Sequence, residues 1–418
     1  MTLISDASRC VWLVGLVAAL SLAGCFSAPR KEAPPKMFGT AVPVGFSADV
    51  RYVGADRQYF VAHKEETQAR IRNAMGDGPL NALALSGGGA GGSFGAGALV
   101  GLSHAGKRPQ FALVTGVSTG ALLAPFAFLG PAWDKELTEA FGADSAEHLL
   151  RSRSIGILFG PGIYQGKPLQ ELVARFATDA MLEAIAREHQ KGRMLLVATT
   201  DLDKEETVIW DMGAIAAHGG SSARELFCKV LVASASIPGL FPPVVIHVED
   251  GGKSYDEMHV DGGTTVPFFL GSELVHVMPL EFEKLKGANL YVIVNGQFTT
   301  VPKTTPVKTT AVLRRSFSAA LTRMSRTSLE LSAAFAQRYD MQFLFVQIPD
   351  DYPYQGPLKF QPSATRALFR FGEQCGERGL LWTDFPTSLE RKMSSLTQPP
   401  LDQVRCPAEI VATKQAPQ

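Results

Sequence analysis

The chain has 418 residues, of which 46% are hydrophobic and 19% are charged, a composition too apolar for an intrinsically disordered protein. Lysine plus arginine and aspartate plus glutamate both number 40, so the sequence offers no basic surplus for binding a nucleic acid. No repeat of fixed period occurs, which excludes solenoids, propellers and collagen. We therefore expect a large globular core.

The N-terminus differs from the rest of the chain. An apolar run at residues 11–23 has the length of a signal-peptide core and is too short for a transmembrane span. It leads into Leu-Ala-Gly-Cys at residues 22–25, which resembles a bacterial lipobox. We expect a signal peptide at 1–24 and a lipid on Cys25, with an ordinary secretory signal as the alternative. Phe26 stands where many inner-membrane lipoproteins carry Asp, so the expected location is the periplasmic face of the outer membrane.

The segment after the lipobox mixes proline, alanine and charge without helical or strand periodicity. We predict that residues 25–45 form a flexible tether that holds the domain off the membrane. Three cysteines remain beyond it, Cys228, Cys375 and Cys406, so at most one disulfide can form. A bridge between Cys375 and Cys406 and a set of three buried thiols are both compatible with the sequence.

Predicted helices and strands alternate along the rest of the chain. In chain order we expect a polar helix at 64–75, strand 82–86, helix 93–105, strand 112–115, helix 119–129, helix 168–189, strand 193–199, a hairpin piece at 205–210, helix 222–235, strands 243–248, 255–260 and 290–294, a long helix from Pro306 to about 339, strand 341–347 and helix 364–380. Such alternation predicts an α/β fold with a largely parallel central sheet wrapped by helices. Residues 386–418 are polar and are expected to form a peripheral tail.

The long helix carries two stripes of different character. Leu313 and Phe317 belong to an apolar stripe, and Arg315 and Arg323 belong to a basic one. Such a surface could rest on an anionic membrane. A helix packed on the core with a solvated outer face is the favoured interpretation.

A glycine loop, Ser-Gly-Gly-Gly-Ala-Gly-Gly at residues 86–92, lies between a predicted strand and a predicted helix. Its backbone N–H groups could face an anion. A dinucleotide cofactor would want an acidic residue about 20 positions on, but the first acid after the loop is Asp134. The loop also lacks the Lys-Ser/Thr ending of a P-loop. The oxyanion of an acyl-transfer intermediate is the anion that remains.

A candidate nucleophile follows at Gly116-Val117-Ser118-Thr119-Gly120, directly after an apolar strand and before a helix. Gly116 and Gly120 would relieve the crowding of a sharp turn that exposes the Ser118 hydroxyl. A serine that caps a helix between packing glycines is the alternative.

A candidate carboxylate stands in Asp261-Gly262-Gly263, at the end of a predicted strand. The two glycines would let the backbone turn and aim Asp261 into a cleft at the carboxyl edges of the parallel strands. Taken alone, an Asp-Gly turn is the commoner use of this dipeptide.

In this order the three motifs resemble those of the patatin-like phospholipase family. Further agreement comes from Ala-Thr-Thr-Asp-Leu at 198–202, Trp-Asp at 210–211, Ala-Ser-Ala-Ser-Ile-Pro at 233–238 and Phe-Pro at 241–242. The likeness covers roughly residues 80–296, about half of the chain. It implies a patatin-like, three-layer α/β/α hydrolase domain, which we place at residues 46–385.

The resemblance also implies the chemistry of a serine lipid acyl hydrolase, which covers phospholipase A, lysophospholipase and carboxylester hydrolase. Ser118 would be the nucleophile and Asp261 the base, and the glycine loop would form the oxyanion hole. The predicted donors are the amides of Gly87, Gly88, Gly89 and Thr119, and the further motif glycines are Gly92, Gly116, Gly120, Gly262 and Gly263. One departure is Gly91, where many members carry a basic residue, which affects rate and phospholipid preference more than reaction type.

The expected partners are a lipid or ester substrate and, through Cys25, a membrane. No cofactor is expected, and no pair of histidines has a metal-ligand spacing. His259 and His276 are alternative bases, although a structural role is favoured for each. A catalytically weak or inactive lipoprotein scaffold on the same fold is the alternative function.

Overall fold

The computed structural model describes seven parts of the chain: residues 30–34, 41–53, 64–142, 162–270, 286–298, 304–384 and Cys406. The predicted signal peptide, Cys25, His276 and nearly all of the C-terminal tail lie outside the described residues.

The strands follow the predicted ones closely. They are, in chain order, β1 (Val42–Pro43), β2 (Arg51–Val53), β3 (Asn81–Leu85), β4 (Leu113–Val117), β5 (Met194–Asp201), β6 (Glu206–Asp211), β7 (Val244–Asp250), β8 (Lys253–Asp261), β9 (Asn289–Val294), β10 (Gln342–Gln347) and β11 (Thr383–Asp384). Strands β1, β2 and β11 were not predicted, because two or three residues are too few to show a period.

The described helices number ten. They are α1 (Lys64–Met75), α2 (Gly92–His104), α3 (Thr119–Leu129), α4 (Asp134–Phe141), α5 (Lys167–Phe176), α6 (Asp179–Gln190), α7 (Met212–His218), α8 (Gly220–Ser234), α9 (Thr309–Arg338) and α10 (Pro362–Glu377). The single helix predicted at 168–189 is wrong, because α6 begins anew where the Thr178 hydroxyl accepts the Met181 N–H at 3.2 Å. Helices α4 and α7 were not predicted.

All the described strands join one sheet, in the order β1-β7-β8-β5-β4-β3-β9-β10-β11, with β6 paired to β5 and β2. Strands β5, β4, β3, β9 and β10 form a parallel centre, and the remaining pairs are antiparallel. The predicted α/β fold with a largely parallel central sheet is therefore confirmed. Since parallel strands end at the same edge of a sheet, the loops after β3, β4, β5 and β9 meet there.

Helices cover both faces of this sheet. Along β3, Leu83 and Leu85 join the core on one face, while Ala82 and Ala84 join the core on the other, as the two-residue period of a strand requires. The first core includes residues of α2 to α8 and α10, and the second includes residues of α1 and α9. The result is the predicted three-layer arrangement.

The two halves of the long helix α9 differ in how deeply they are buried. Its C-terminal half packs on the sheet through buried residues such as Leu329 and Ala333, which confirms the favoured interpretation for that half. Near its N-terminus, Val312 and Leu313 are 46% and 64% exposed. Membrane contact by this half stays an untested alternative. None of the described helices is long and apolar enough to cross a membrane.

The segment predicted as a tether is attached to the domain in its described parts. The Arg30 guanidinium donates two hydrogen bonds of 2.8 Å to the Asp203 carboxylate. The backbones of Lys31 and Asp256 are also bonded, at 2.8 Å, and β1 pairs with β7. Lys31 bonds to the edge of β8 beyond the end of β5, and β1 adds a short strand to the edge of β7, which is why a segment without periodicity of its own is held in place.

The structure decides between a disulfide and three free thiols for the cysteines beyond the tether. Cys375 of α10 and Cys406 form a disulfide with Cα atoms 5.5 Å apart, a normal separation for a bridge. Cys228 is the one described cysteine with a free thiol.

Candidate active site

Ser118 stands at the sharp turn between β4 and α3. Its φ is +56° and its ψ is −126°, a backbone conformation that costs a non-glycine residue about 1–3 kcal/mol. The turn is possible because Gly120 passes so close to the Leu85 carbonyl that a Cβ atom would not fit. The geometry is that of the predicted nucleophile elbow, with the hydroxyl at the N-terminus of a helix.

Asp261 lies at the end of β8, directly opposite Thr199 of β5. Its Oδ2 accepts a 2.6 Å hydrogen bond from the Ser118 hydroxyl, and its Oδ1 accepts the Gly263 N–H at 2.7 Å. Burial raises the pKa of the carboxyl from 3.8 to about 7, although the two hydrogen bonds act in the opposite direction. The structure therefore brings the predicted nucleophile and base into direct contact.

The end of α8 and the residues that follow it hold both members of this pair. The Ser234 hydroxyl accepts the Ser118 N–H at 3.0 Å and donates to the Ala198 carbonyl at 2.7 Å. The Ser236 carbonyl accepts the Asp261 N–H at 2.9 Å. Sequence reasoning noted the segment 233–238 as a family likeness but assigned no role to either serine. Their role here is to fix the backbone from which each side chain projects.

The amides proposed for the oxyanion hole are not equivalent. The Gly87 N–H donates to the Pro267 carbonyl at 3.2 Å, so the prediction of Gly87 as a donor is wrong. The N–H groups of Gly88, Gly89 and Thr119 have no acceptor among the described residues. Gly89 has a φ of +54° and begins a short turn that leads into α2. Three amides of the glycine loop and the nucleophile elbow are thus available to an incoming anion.

The remaining motif glycines are sites of close packing. A Cβ atom would collide with neighbouring atoms at each of Gly91, Gly92, Gly116 and Gly262. At Gly91 the colliding groups are the Asn295 backbone and the Tyr354 hydroxyl. No side chain fits there, so the absence of a basic residue at this position follows from the packing of the loop.

A narrow apolar cavity opens beside the nucleophile. Its volume is about 90 Å³, several times the roughly 10–15 Å³ that one water molecule needs. Gly89, Ser118 and Thr119 form one part of its wall. The rest is almost wholly apolar and comes mainly from helices α3 to α6, with Leu358 and Phe360 from the loop before α10. An acyl chain is the kind of group that such walls accommodate.

The loop that supplies Leu358 and Phe360 was not expected to belong to the site. It lies between β10 and α10, far along the chain from all three motifs. The Pro357 carbonyl accepts the Ala90 N–H at 2.8 Å, and the Tyr354 hydroxyl donates to the Gly88 carbonyl at 3.1 Å. This loop contains Asp350, Asp351 and Gly356, but they form no motif that would have marked it as part of the site.

His259 is fully buried, and its ring nitrogens face residues other than Ser118 and Asp261. Its Nδ1 lies 3.0 Å from the Thr199 hydroxyl and its Nε2 lies 3.3 Å from a carboxylate oxygen of Glu257. Glu257 and Asp201 form a carboxylate cluster with His259, and the Lys204 ammonium lies 2.7 Å and 3.1 Å from oxygens of these two acids. A bound ammonium thus stands where a metal ion would bridge them. Among the described residues, no histidine is hydrogen-bonded or ion-paired to Ser118 or Asp261.

Comparison with known proteins gives a match to one family model. Residues 83–270 match the family model of the patatin-like phospholipases. A search of curated proteins found no match. Among solved structures, VipD from Legionella pneumophila has a TM-score of 0.38 and 13% identity, over 72% of this chain and 67% of VipD. Human GIVD cytosolic phospholipase A2 has a TM-score of 0.30 and 11% identity, over 65% of this chain and about half, 51%, of the human enzyme. The family match identifies residues 83–270 as a patatin-like phospholipase domain and the protein as a lipid acyl hydrolase.

Proposed function

We propose that the protein hydrolyses lipid acyl esters through a Ser118–Asp261 dyad and an acyl-enzyme. The observation that carries this proposal is the 2.6 Å hydrogen bond from the Ser118 hydroxyl to Asp261 Oδ2. A base must lie within hydrogen-bond reach of the proton that it removes, and Asp261 meets this condition without an intervening histidine. A pKa near 7 also suits a general base that works at neutral pH.

The reaction proceeds in two halves. Asp261 accepts the hydroxyl proton as Ser118 Oγ forms a bond to the ester carbonyl carbon. The tetrahedral intermediate then collapses, the bond to the alcohol oxygen breaks, and Asp261 returns the proton to that oxygen. In the second half a water molecule gives its proton to Asp261 and attacks the acyl-enzyme, and the fatty acid leaves as Ser118 regains its proton.

The developing oxyanion is held by backbone amides. The amides of Gly88, Gly89 and Thr119 are the proposed donors because none has another acceptor among the described residues, and Gly89 and Thr119 line the cavity together with Ser118. Each such donor is worth about 3 kcal/mol of barrier. No cation is needed for this step, since the three N–H groups and the helix N-terminus supply the positive field.

The apolar cavity supports an acyl chain as the part of the substrate that enters the protein. Leu122, Val173 and Leu231 are among the side chains that would surround the chain. Burying each methylene of a fatty acid there gains about 0.8 kcal/mol. We therefore propose an ester with an aliphatic acyl chain as the substrate, within the phospholipase A, lysophospholipase and carboxylester hydrolase classes.

The decisive experiment is active-site labelling followed by turnover. A fluorophosphonate probe should label the wild-type protein and leave Ser118→Ala and heat-denatured protein unlabelled. The wild type should hydrolyse a panel of acyl esters that differ in chain length and head group, and Ser118→Ala should not. A folded wild type that neither reacts with the probe nor turns over any ester would favour an inactive scaffold over an enzyme.

We also propose that lipid on Cys25 anchors the protein to the outer membrane. The lipobox at residues 22–25 supports this, and several acyl chains on one cysteine would make anchoring stable. Arg30, which is bound to Asp203, follows Cys25 so closely that the anchor would lie within about 18 Å of the domain. Replacing Cys25 with Ser should abolish incorporation of a labelled fatty acid and release the protein from membranes. Normal processing and membrane fractionation of Cys25→Ser would contradict the anchor.

A further inference from the structure

We infer that Tyr354 is a positioning residue for the oxyanion hole, acting through the peptide bond between Gly88 and Gly89. This inference rests on the proposed function, because it assigns a role only if the Gly89 amide is an oxyanion donor. Tyr354 lies in the loop between β10 and α10, outside the residues 83–270 that match the phospholipase family model.

The link is geometric. In a trans peptide the carbonyl and the N–H of the same bond point in opposite directions. The carbonyl of Gly88 and the N–H of Gly89 belong to one such bond, so a group that holds the carbonyl also aims the amide. The Tyr354 hydroxyl donates to the Gly88 carbonyl at 3.1 Å, and the Gly91 N–H donates to it at 3.0 Å.

The bond needs an external holder because glycine is the residue with the most backbone freedom. Gly88 and Gly89 are consecutive, with φ values of 160° and 54°, so local sterics restrain this peptide less than they would between other residues. The Pro357 carbonyl fixes the next amide, that of Ala90, at 2.8 Å. The loop between β10 and α10 thus hydrogen-bonds to the peptide group before Gly89, through Tyr354, and to the peptide group after it, through Pro357.

Tyr354 is well suited to this task. Its hydroxyl is buried, and burial raises the pKa of the phenol well above its usual value, so the group stays a hydrogen-bond donor at every physiological pH. A donor on the carbonyl also polarises the peptide and strengthens its N–H as a donor. The gain would appear where negative charge develops, in the transition state, rather than in substrate binding.

The test is Tyr354→Phe, which removes one oxygen atom and keeps the ring. We expect kcat to fall roughly tenfold, less than the 10²–10³ lost with a whole oxyanion donor, while KM changes little. Affinity for a trifluoromethyl ketone with the same acyl chain, which forms a tetrahedral oxyanion adduct with a serine, should weaken by the same factor. The matched control is Tyr352→Phe, the same change at a buried tyrosine whose ring packs on Phe371.

Three outcomes decide the matter. Wild-type kcat and wild-type ketone affinity in Tyr354→Phe would overturn the inference, as would a loss confined to KM. An equal loss in Tyr352→Phe would assign the effect to general packing and would also overturn it. Thermal unfolding is measured for both variants, and rates are compared at a temperature where both are folded. Ser118→Ala is run in parallel, because full activity in that variant would overturn the dyad itself rather than the role of Tyr354.

Discussion

Replacing Asp261 by Asn should abolish hydrolysis and at the same time stabilise the protein at neutral pH. The carboxyl is buried, and its pKa rises from 3.8 to about 7 in the folded state. A raised pKa means that the folded protein favours the neutral acid, so ionisation costs stability as the pH rises from about 4 to 7. The interval between the two pKa values corresponds to about 4 kcal/mol. An amide keeps the shape and cannot ionise, and its oxygen can still accept the Gly263 N–H.

The assay is denaturant unfolding of the wild type and Asp261→Asn at pH 4.5, 6 and 8. The variant should be more stable by only about 1 kcal/mol at pH 4.5, where ionisation of the unfolded chain has begun, and by up to about 4 kcal/mol at pH 8. Asp256→Asn is a control of opposite sign: although partial burial acts against it, hydrogen bonds from Lys31 and His247 lower the pKa of Asp256, so its loss should destabilise at neutral pH. A difference for Asp261→Asn that stays constant across this range would refute the reasoning from burial.

Three further predictions concern the same site. Gly89→Val should lose turnover while the protein stays folded, because valine disfavours a φ of +54° and would misdirect the amide; wild-type esterase rates in a folded variant would contradict the oxyanion assignment. Val173→Trp should lower the rate on long acyl chains relative to short ones, because the added bulk enters the cavity; an unchanged chain-length profile would mean that the acyl chain binds elsewhere. His259→Ala should lower the unfolding temperature but keep most of the activity. The acid limb of its kcat/KM profile should stay near pH 7, because that limb reports the ionisation of Asp261. Activity as low as that of Ser118→Ala would make His259 the base.

The elements that carry the chemistry could be predicted because their signals are local. An apolar strand, a glycine cluster and an apolar helix follow one another twice, at β3 with α2 and at β4 with α3, and each signal is confined to one short stretch, residues 81–104 and 113–129. The break between α5 and α6 was missed although a local signal existed. Thr178 followed by Asp179 is a favourable helix start, but the apolar period continues across it and concealed the boundary.

The contacts that shape the site could not be predicted, because they join distant parts of the chain. The Gly87 amide was expected in the oxyanion hole, and only the fold shows that the Pro267 carbonyl has taken it. Ser234 supports Ser118 across a separation of 116 residues, and Tyr354 reaches Gly88 across 266. A hydroxyl that hydrogen-bonds to the backbone of a distant residue produces no periodic pattern and no unusual composition in the sequence. Its role becomes visible only when the partner is known.

Several locally unfavourable features coincide at Ser118, and their coincidence is itself an argument for catalysis. Glu205 and Asp340 also have a positive φ, but both lie in exposed turns where strain is easily relieved. Ser118 is buried, and it stands beside a buried carboxyl and three amides without acceptors among the described residues. Thr119 is the buried one among these three residues, and a polar group buried without a partner costs about 1–3 kcal/mol; the strained serine adds a similar cost. A site evolved only for stability would have removed these costs, whereas an ester carbonyl placed among these groups would satisfy the nucleophile, the base and the amides together.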